Sequence, residues 1–411
     1  MTPSILPQSP DVLVIGGGVV GLATTYHLAK AGAKVSLVTA GDIGDGASAC
    51  NAGRTQVNEG NLDAFSLSVI VQSLERLAQL PDELGMDFGW RRIGYLCLIS
   101  SEKEIHNWQQ RCPALTAAGI PTEMMDLAQM RNAEPYLAQE LLLGGAYTTE
   151  GLLDPFLYSH AFAFGARRLG ARLFTHKPVT AMQVAGGRVM EVIAGGQRFT
   201  PGKVVVACGA WSGQVGALAR AHIPVAFHHT EAFITEPLPP VVFNMIGIAD
   251  FYEVIHSGDR AVPIGLGPYP NQTVLVAESV SYPPQPNRSA SHWGLTALSA
   301  QLQRYYPSFG RFRVRRHWGT ATPYSPDEHP ILGRVQPLEN LYTATGFQQT
   351  ICITPVVTEL LAQVVLEQEV PAELDAWSPA RFMSDFPPHQ GGGLGGLVDH
   401  PGNFTHDFER T

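Results

Sequence analysis

Charge is scarce in this 411-residue chain: Asp, Glu, Lys and Arg make up 15% of it, against 45% apolar residues. The balance is acidic, 27 basic residues against 36 acidic ones, and no basic run occurs. That excludes a surface built to track nucleic-acid phosphates. Cysteine is scarce too. The five cysteines, at 50, 97, 112, 208 and 352, are scattered with no CxxC pair. Such spacing supplies neither a disulfide framework nor ligands for a metal or iron–sulfur cluster, and it suits a reducing compartment. The histidines lack metal-ligand spacing. No apolar run is long enough to span a bilayer. Residues 1–10 have neither a positive start nor an apolar core of the secretory kind. The expectation is a cytoplasmic chain with no metal and no integral membrane segment.

Glycine, by contrast, is abundant and placed. The apolar run Val12 to Ile15 ends in Gly16, Gly17, Gly18 and Gly21, and a helical pattern follows to Gly32. Strand, tight turn and helix in that order, with a second apolar strand at Lys34 to Val38, make the start of a dinucleotide-binding βαβ unit. Gly16 permits the turn, Gly18 lets backbone approach a pyrophosphate, and Gly21 lets helix and strand pack closely. The helix N-terminus at Val19 offers N–H groups and the positive end of a dipole to phosphate.

Further along, Gly41 to Gly60 is rich in small residues and reads as a loop laid against a ligand. Leu62 to Leu80 has helical periodicity. Phe88 to Ser100 reads as a hairpin-like region around Gly94, followed by a helix over 102–117, a strand over 121–125 and a short helix over 126–132. Asp154-Pro155 opens a helix that ends at Gly170. Short strands with Gly-Gly turns fill 172–200. A buried strand, Lys203 to Ala207, ends in the small residues of Ala207-Cys-Gly-Ala-Trp-Ser212. Val225 to Thr235, Asp250 to His256 and Thr273 to Val280 alternate as antiparallel strands do. From Ser378 the tail has little core-forming power. These blocks predict an α/β protein in which a Rossmann-like dinucleotide domain (1–85, 149–219, 317–372) is interwoven with an antiparallel-sheet substrate domain (86–148, 220–316), with a C-terminal tail over 373–411.

Several stretches together resemble one family. They are Gly16-x-Gly18-x-x-Gly21, Ala47-Ser-Ala-Cys-Asn-Ala-Gly53, Asp154-Pro155, Ala207 to Ser212, Trp318 through Ser325-Pro-Asp-Glu-His-Pro-Ile-Leu-Gly333, and Asn340 to Gly346 with the helix after Pro355. From residue 11 to about 372 the chain resembles the D-amino-acid oxidase-type flavoproteins. These include glycine oxidase, the flavin subunit of hydrogen cyanide synthase, and the β subunits of heteromeric opine, proline or sarcosine oxidising enzymes. The resemblance implies a glutathione-reductase-type FAD domain, FAD as cofactor, and oxidation of an amine carbon next to a carboxylate by hydride transfer to flavin N5. It places the cofactor against Gly16, Gly18, Val19, Gly21, Thr39, Asp42, Ser48, Asn51, Gly53, Val179, Ala207, Gly209, Trp211, Gly333, Gly346, Gln348 and Gln349. It also implies partners: a second flavin subunit and a small iron–sulfur subunit.

Three positions depart from the family pattern. Thr39 stands where an acidic residue holds the ribose, a loss of roughly 1–3 kcal/mol of charge-assisted hydrogen bonding, with Asp42 as the candidate to compensate. Thr322 stands where the family has its carboxylate-binding arginine, and Arg54 is the candidate substitute. Gly346-Phe-Gln-Gln stands where a histidine or arginine faces the flavin pyrimidine, so Gln348 and Gln349 become the donors there. Tyr252 matches a substrate-facing tyrosine, and His229, on a neighbouring strand with Glu231, is a candidate proton acceptor. The expected substrate is an N-substituted amino acid, an opine or imino acid, oxidised by a β-type subunit. A catalytically silent subunit of the same fold, and glycine oxidation, are the competing expectations.

Overall fold

The computed structural model describes residues 8–57, 63–255, 257 and 260–382. Its first organising layer is a six-stranded sheet, in the order Ile331–Arg334, Leu341–Thr345, Lys203–Val206, Val12–Ile15, Val35–Val38 and Arg172–Phe174. All neighbours in it are parallel except the antiparallel edge Ile331–Arg334. The continuous apolar runs explain this arrangement: Val12 to Ile15 and Leu341 to Thr345 are buried at every residue, as strands covered on both faces must be. Helix Val19–Lys30 packs on helices Pro155–Arg168 and Thr350–Val365, and the last of these packs on Ala64–Leu84. Asp154 caps the Pro155 helix by accepting from the Phe156 and Leu157 amides at 2.9 Å each, with proline in the first helical position.

The second layer is a larger, mostly antiparallel sheet. Its path runs Val314–Tyr324, Ala226–Thr235, Val274–Ser281, Gly265–Pro268, Met245–Ile248, Arg91–Ile99, Gly144–Leu152 and Arg54–Thr55. Two of its strands, Gly144–Leu152 and Val314–Tyr324, run unbroken through positions 149 and 317, where the sequence pattern placed segment boundaries. A small hairpin sheet, Val179–Ala185, Arg188–Ala194 and Gln197–Phe199, completes the strands. Its turns are Gly186-Gly187 and Gly195-Gly196, all four at positive φ, the backbone that two-residue hairpin turns require.

Three expectations fail for identifiable reasons. The region around Gly94 is one strand, Arg91–Ile99, not a hairpin. A Cβ at Gly94 would lie 2.3 Å from Asn244 Oδ1 and 2.4 Å from the Tyr147 hydroxyl, so this glycine makes room for neighbours rather than a turn. The expected strand over 250–256 is not found in its described part: Phe251–Ile255 is a short helix. Phe251, Val254 and Ile255 have i, i+3, i+4 spacing, which is the helical period. Finally, the chain after Ser378 packs over its described part. Phe382 is buried, and Arg381 grips Asp327 through Nε (2.7 Å) and Nη2 (2.9 Å). Residues 383–411 lie outside the described set. No described helix is long and apolar enough to cross a membrane.

Candidate active site

The carboxyl ends of the parallel strands and one face of the large sheet enclose a cavity of about 650 Å³, a size suited to small-molecule ligands. At the parallel end it is lined by Gly16, Gly18, Val19, Thr39, Ser48, Asn51, Val179, Ala207, Gly209 and Trp211. The glycines act there as their spacing predicts. Gly16 has φ +120°, and a Cβ on it would lie 2.2 Å from the Ala207 carbonyl oxygen. Gly21 sits behind the loop, where a Cβ would lie 2.1 Å from the Gly16 carbonyl oxygen. The Val19 amide donates to Ser48 Oγ at 2.9 Å. Ser48 thereby caps the helix and keeps its own hydroxyl proton to donate to a ligand. Asn51 holds that loop in shape, its side-chain amide donating to the Ser48 carbonyl at 2.6 Å and its Oδ1 accepting from the Gly53 amide at 2.6 Å. Gly53 does not line the cavity. Its Cβ would lie 2.0 Å from the Leu153 carbonyl oxygen, so it lets the loop seat against the sheet.

Asp42 does not compensate for Thr39. Its carboxylate is turned to solvent, 79% exposed, and pairs with His176 at 3.0 Å. The acid of this loop that lines the cavity is Asp45, held there by Arg288 Nη1 at 2.7 Å. Thr39 is buried because its side chain packs where a Cβ of Gly17 would be, at 2.8 Å. Gly333 is also displaced from its expected role. At φ +126°, its nearest neighbour in the Cβ direction is Pro379, at 3.7 Å, and it lies outside the cavity.

Gly346 and Gln348 line the cavity between its two ends. Gly346 has φ +71°. The Gln348 Nε2 is buried and has no hydrogen-bond partner among the described residues. A buried donor left unpaired costs about 1–3 kcal/mol, and a ligand acceptor placed there recovers it. Gln349 has a different job. It stands at the start of helix Thr350–Val365, where its carbonyl accepts from the Cys352 amide at 2.9 Å, and it faces Ser66 and Trp377 rather than the main cavity. The glycine cradle, the Ser48 hydroxyl and the orphaned Gln348 amide together fit a dinucleotide whose far end carries a hydrogen-bond acceptor.

The antiparallel wall corrects the histidine. Along Ala226–Thr235, residues His228, Thr230 and Ala232 line the cavity, while His229 and Glu231 point to the other face. Alternation shows which residues share a face, but not which face is inward. On that outer face Glu231 accepts from the Ser291 amide and hydroxyl, both at 2.6 Å, and pairs with His317 at 2.9 Å. Burial holds the His229 imidazole below its usual pKa despite Glu231 nearby. The cavity-facing group is His228, its ring 5.3 Å from that of Tyr324. Beside it Thr230 Oγ1 and Thr322 Oγ1 share a hydrogen bond of 3.0 Å. Arg54 does line the cavity, but its Nη2 donates to Glu150 at 2.8 Å, its Nε also bonds that carboxylate, and its guanidinium lies 3.6 Å from the Tyr95 ring centroid. Tyr252 falls in the Phe251–Ile255 helix, and its side chain lies outside the described set. Two thiols also line the cavity. Burial pushes Cys208 up to about 12 and raises Cys50, which disfavours the thiolate at both. The face assignment has a direct check. Substituting His228→Gln changes ligand affinity at the cavity, whereas His229→Gln lowers thermal stability and leaves ligand affinity unaltered; the opposite pattern, by calorimetry and melting, overturns it.

Comparison with known proteins places this architecture. The model of the family described as FAD dependent oxidoreductase matches residues 11–364. Glycine oxidase from Geobacillus kaustophilus (strain HTA426) is 26% identical over 382 residues, covering 91% of this chain and 97% of that protein. The sarcosine oxidase subunit beta of an Arthrobacter species is 26% identical over 351 residues, covering 83% and 82%. Among solved structures, L-proline dehydrogenase from P. horikoshii shares the fold with a TM-score of 0.81 at 23% identity, covering 92% of this chain and 98% of that one. With a family model matched over most of its length and a cavity that fits the cofactor, the chain belongs to the FAD-dependent oxidoreductase family, and FAD is its cofactor.

Proposed function

We propose that this chain oxidises the C–N bond of an N-substituted amino acid, an opine or imino acid, as the β-type subunit of a heteromeric enzyme. The observation that carries the reading is the antiparallel wall: Thr230, Thr320 and Thr322 present hydroxyls there, and the nearby Arg54 is tied to Glu150. Glycine offers little besides its carboxylate to hold, so a site without a committed arginine favours a larger substrate that gains affinity from its substituent. The Arthrobacter relative is named for sarcosine, a secondary amine, and named as a subunit, which supports both halves of the proposal.

FAD, when bound, supplies the two-electron acceptor for the amine carbon. Gly16, Gly18 and Ser48 would hold its phosphates, and the Gln348 amide would hydrogen-bond its ring system. The threonine hydroxyls would orient the substrate's carboxylate and amine. His228, buried on the cavity face, would take the proton that a secondary ammonium must lose before its carbon can be oxidised. The expected result is a yellow protein whose visible flavin band bleaches anaerobically when an opine or proline is added. If no N-substituted amino acid bleaches it, even with partner subunits present, the substrate reading fails. A colourless protein after gentle purification would point instead to a silent subunit.

A further inference from the structure

Residues 282–291 join strand Val274–Ser281 to helix His292–Tyr305. None of residues 281–292 is buried, so core packing does not hold this segment in place. Its shape comes from Pro283, Pro284 and Pro286, which fix φ and stiffen the chain. Asn287 adds to it by accepting at Oδ1 from the Ser289 amide at 3.1 Å and hydroxyl at 2.7 Å. Both ends are tied to the substrate side of the molecule. The Tyr282 hydroxyl donates to the Ile255 carbonyl, and Glu231 holds the Ser291 amide and hydroxyl.

The middle of the segment is fastened to the dinucleotide layer by two polar clasps. The Gln214 side-chain amide donates to Gln285 Oε1 at 3.1 Å. Arg288 grips both carboxylate oxygens of Asp45, through Nη1 at 2.7 Å and through Nη2. Gln214 follows strand Lys203–Val206, and Asp45 follows strand Val35–Val38. Between those two strands in the sheet lies Val12–Ile15, the strand that leads into Gly16 and Gly18. The clasps therefore stand on either side of the phosphate cradle, and Gln214, Asp45 and Arg288 all line the cavity. The segment spans the cradle as a stiff strap with polar fastenings.

We infer that this strap retains the cofactor, and that Arg288 is the positioning residue whose hold on Asp45 keeps it closed. FAD enters and leaves when that clasp opens. The side chains of Arg288 and Asp45 are 49% and 28% exposed, so water competes for both. An exposed pair of this kind shifts an open–closed equilibrium by about fivefold. A gate is distinguished from a contact by its kinetics. Losing a contact to FAD speeds release alone, whereas weakening a fastening that entry and exit must both pass speeds both.

The test follows flavin fluorescence during FAD release from the holoprotein and FAD uptake by the apoprotein. Asp45→Asn and Arg288→Gln should each speed release and uptake about fivefold, leaving the equilibrium affinity within about twofold. The double variant should be no faster than either single one, because the two side chains form one clasp. Gln285→Ala removes the second clasp at an exposed position without changing charge, and should speed both rates about twofold. At about 0.5 M salt, wild type and the Asp45 and Arg288 variants should converge. Slower release from Asp45→Asn overturns the strap: a carboxylate beside phosphates repels them, so that result would make Arg288 a direct phosphate ligand freed by the substitution. Faster release with unchanged uptake, or rates unmoved in all variants, overturns it as well. No amine takes part in these measurements, so their outcome and the bleaching of flavin by an N-substituted amino acid stand or fall separately.

Discussion

Gly16→Ala and Gly21→Ala each yield protein that has lost its flavin. At Gly16 the new methyl group would sit 2.2 Å from the Ala207 carbonyl oxygen and 2.7 Å from its carbon, at a φ of +120° that L side chains rarely adopt. Both obstacles are backbone, and they follow directly on strand Lys203–Val206, which is locked in a parallel ladder with Val12–Ile15, while the Ala207 amide donates to the Ile15 carbonyl at 2.8 Å. The loop must therefore move. Overpacking costs about 1–3 kcal/mol, and an unfavourable φ costs about as much again. Because the same loop is the cradle for the phosphates, that cost falls on FAD affinity, at tenfold for every 1.4 kcal/mol. The expected loss is on the order of 100-fold or more. Gly21→Ala reaches the same end from behind, driving a methyl group to 2.1 Å from the Gly16 carbonyl oxygen. Gly18→Ala is milder, since its methyl group would meet only the Ser48 hydroxyl at 3.0 Å. Flavin-to-protein ratio after gel filtration, and fluorescence titration of the apoprotein, should rank the three. Stoichiometric flavin in Gly16→Ala would show that the loop is not the cradle.

That ranking follows from features legible in the sequence, and others were not. A strand that ends in glycines and leads into a helix constrains backbone locally, so Gly16, Gly18 and Gly21 carry their roles in their spacing. The buried parallel strands announce themselves as unbroken apolar runs. The substrate wall depends on non-local facts. The alternation in Ala226–Thr235 separates His228 from His229, but only the pairing of that strand with Val314–Tyr324 and Val274–Ser281 shows which one faces the cavity. Nothing in the sequence around Thr230 marks it for the same reason, although it shares a hydrogen bond with Thr322, whose position stands out against the family pattern. Asp42 and Asp45 differ by three residues in one loop. Arg288, far along the chain, draws Asp45 inward, whereas Asp42 finds His176 at the surface. In the sequence, Arg54 stands as a candidate for the substrate's carboxylate. Its partner Glu150 lies 96 positions away, on the strand that pairs with Arg54–Thr55, and nothing local in either segment announces the match.

That partnership carries the second large effect: Glu150→Ala lowers the stability of the holoprotein by about 3–5 kcal/mol. The Glu150 side chain is wholly buried and that of Arg54 is 11% exposed. Glu150 also accepts from the Val57 amide at 3.2 Å. Removing the carboxylate leaves a guanidinium against the Tyr95 ring without that counter-charge, and uncompensated buried charge is what makes breaking one half of a buried pair so costly. The damage reaches the cofactor. Arg54 follows directly on Gly53, whose amide Asn51 holds, and Asn51 in turn braces the Ser48 carbonyl. A loosened Arg54 therefore loosens the serine that caps the dinucleotide helix, and flavin should dissociate faster along with the fall in urea midpoint. Glu150→Gln separates the two consequences. It keeps the shape and one of the two acceptor oxygens but uncovers the Arg54 charge at the cavity wall, so anionic ligands should bind more tightly, by about tenfold at the effective dielectric of a partly buried site. If Arg54 is already committed to a substrate carboxylate rather than to Glu150, the result inverts: Glu150→Gln leaves anion affinity unmoved, and Arg54→Met abolishes it.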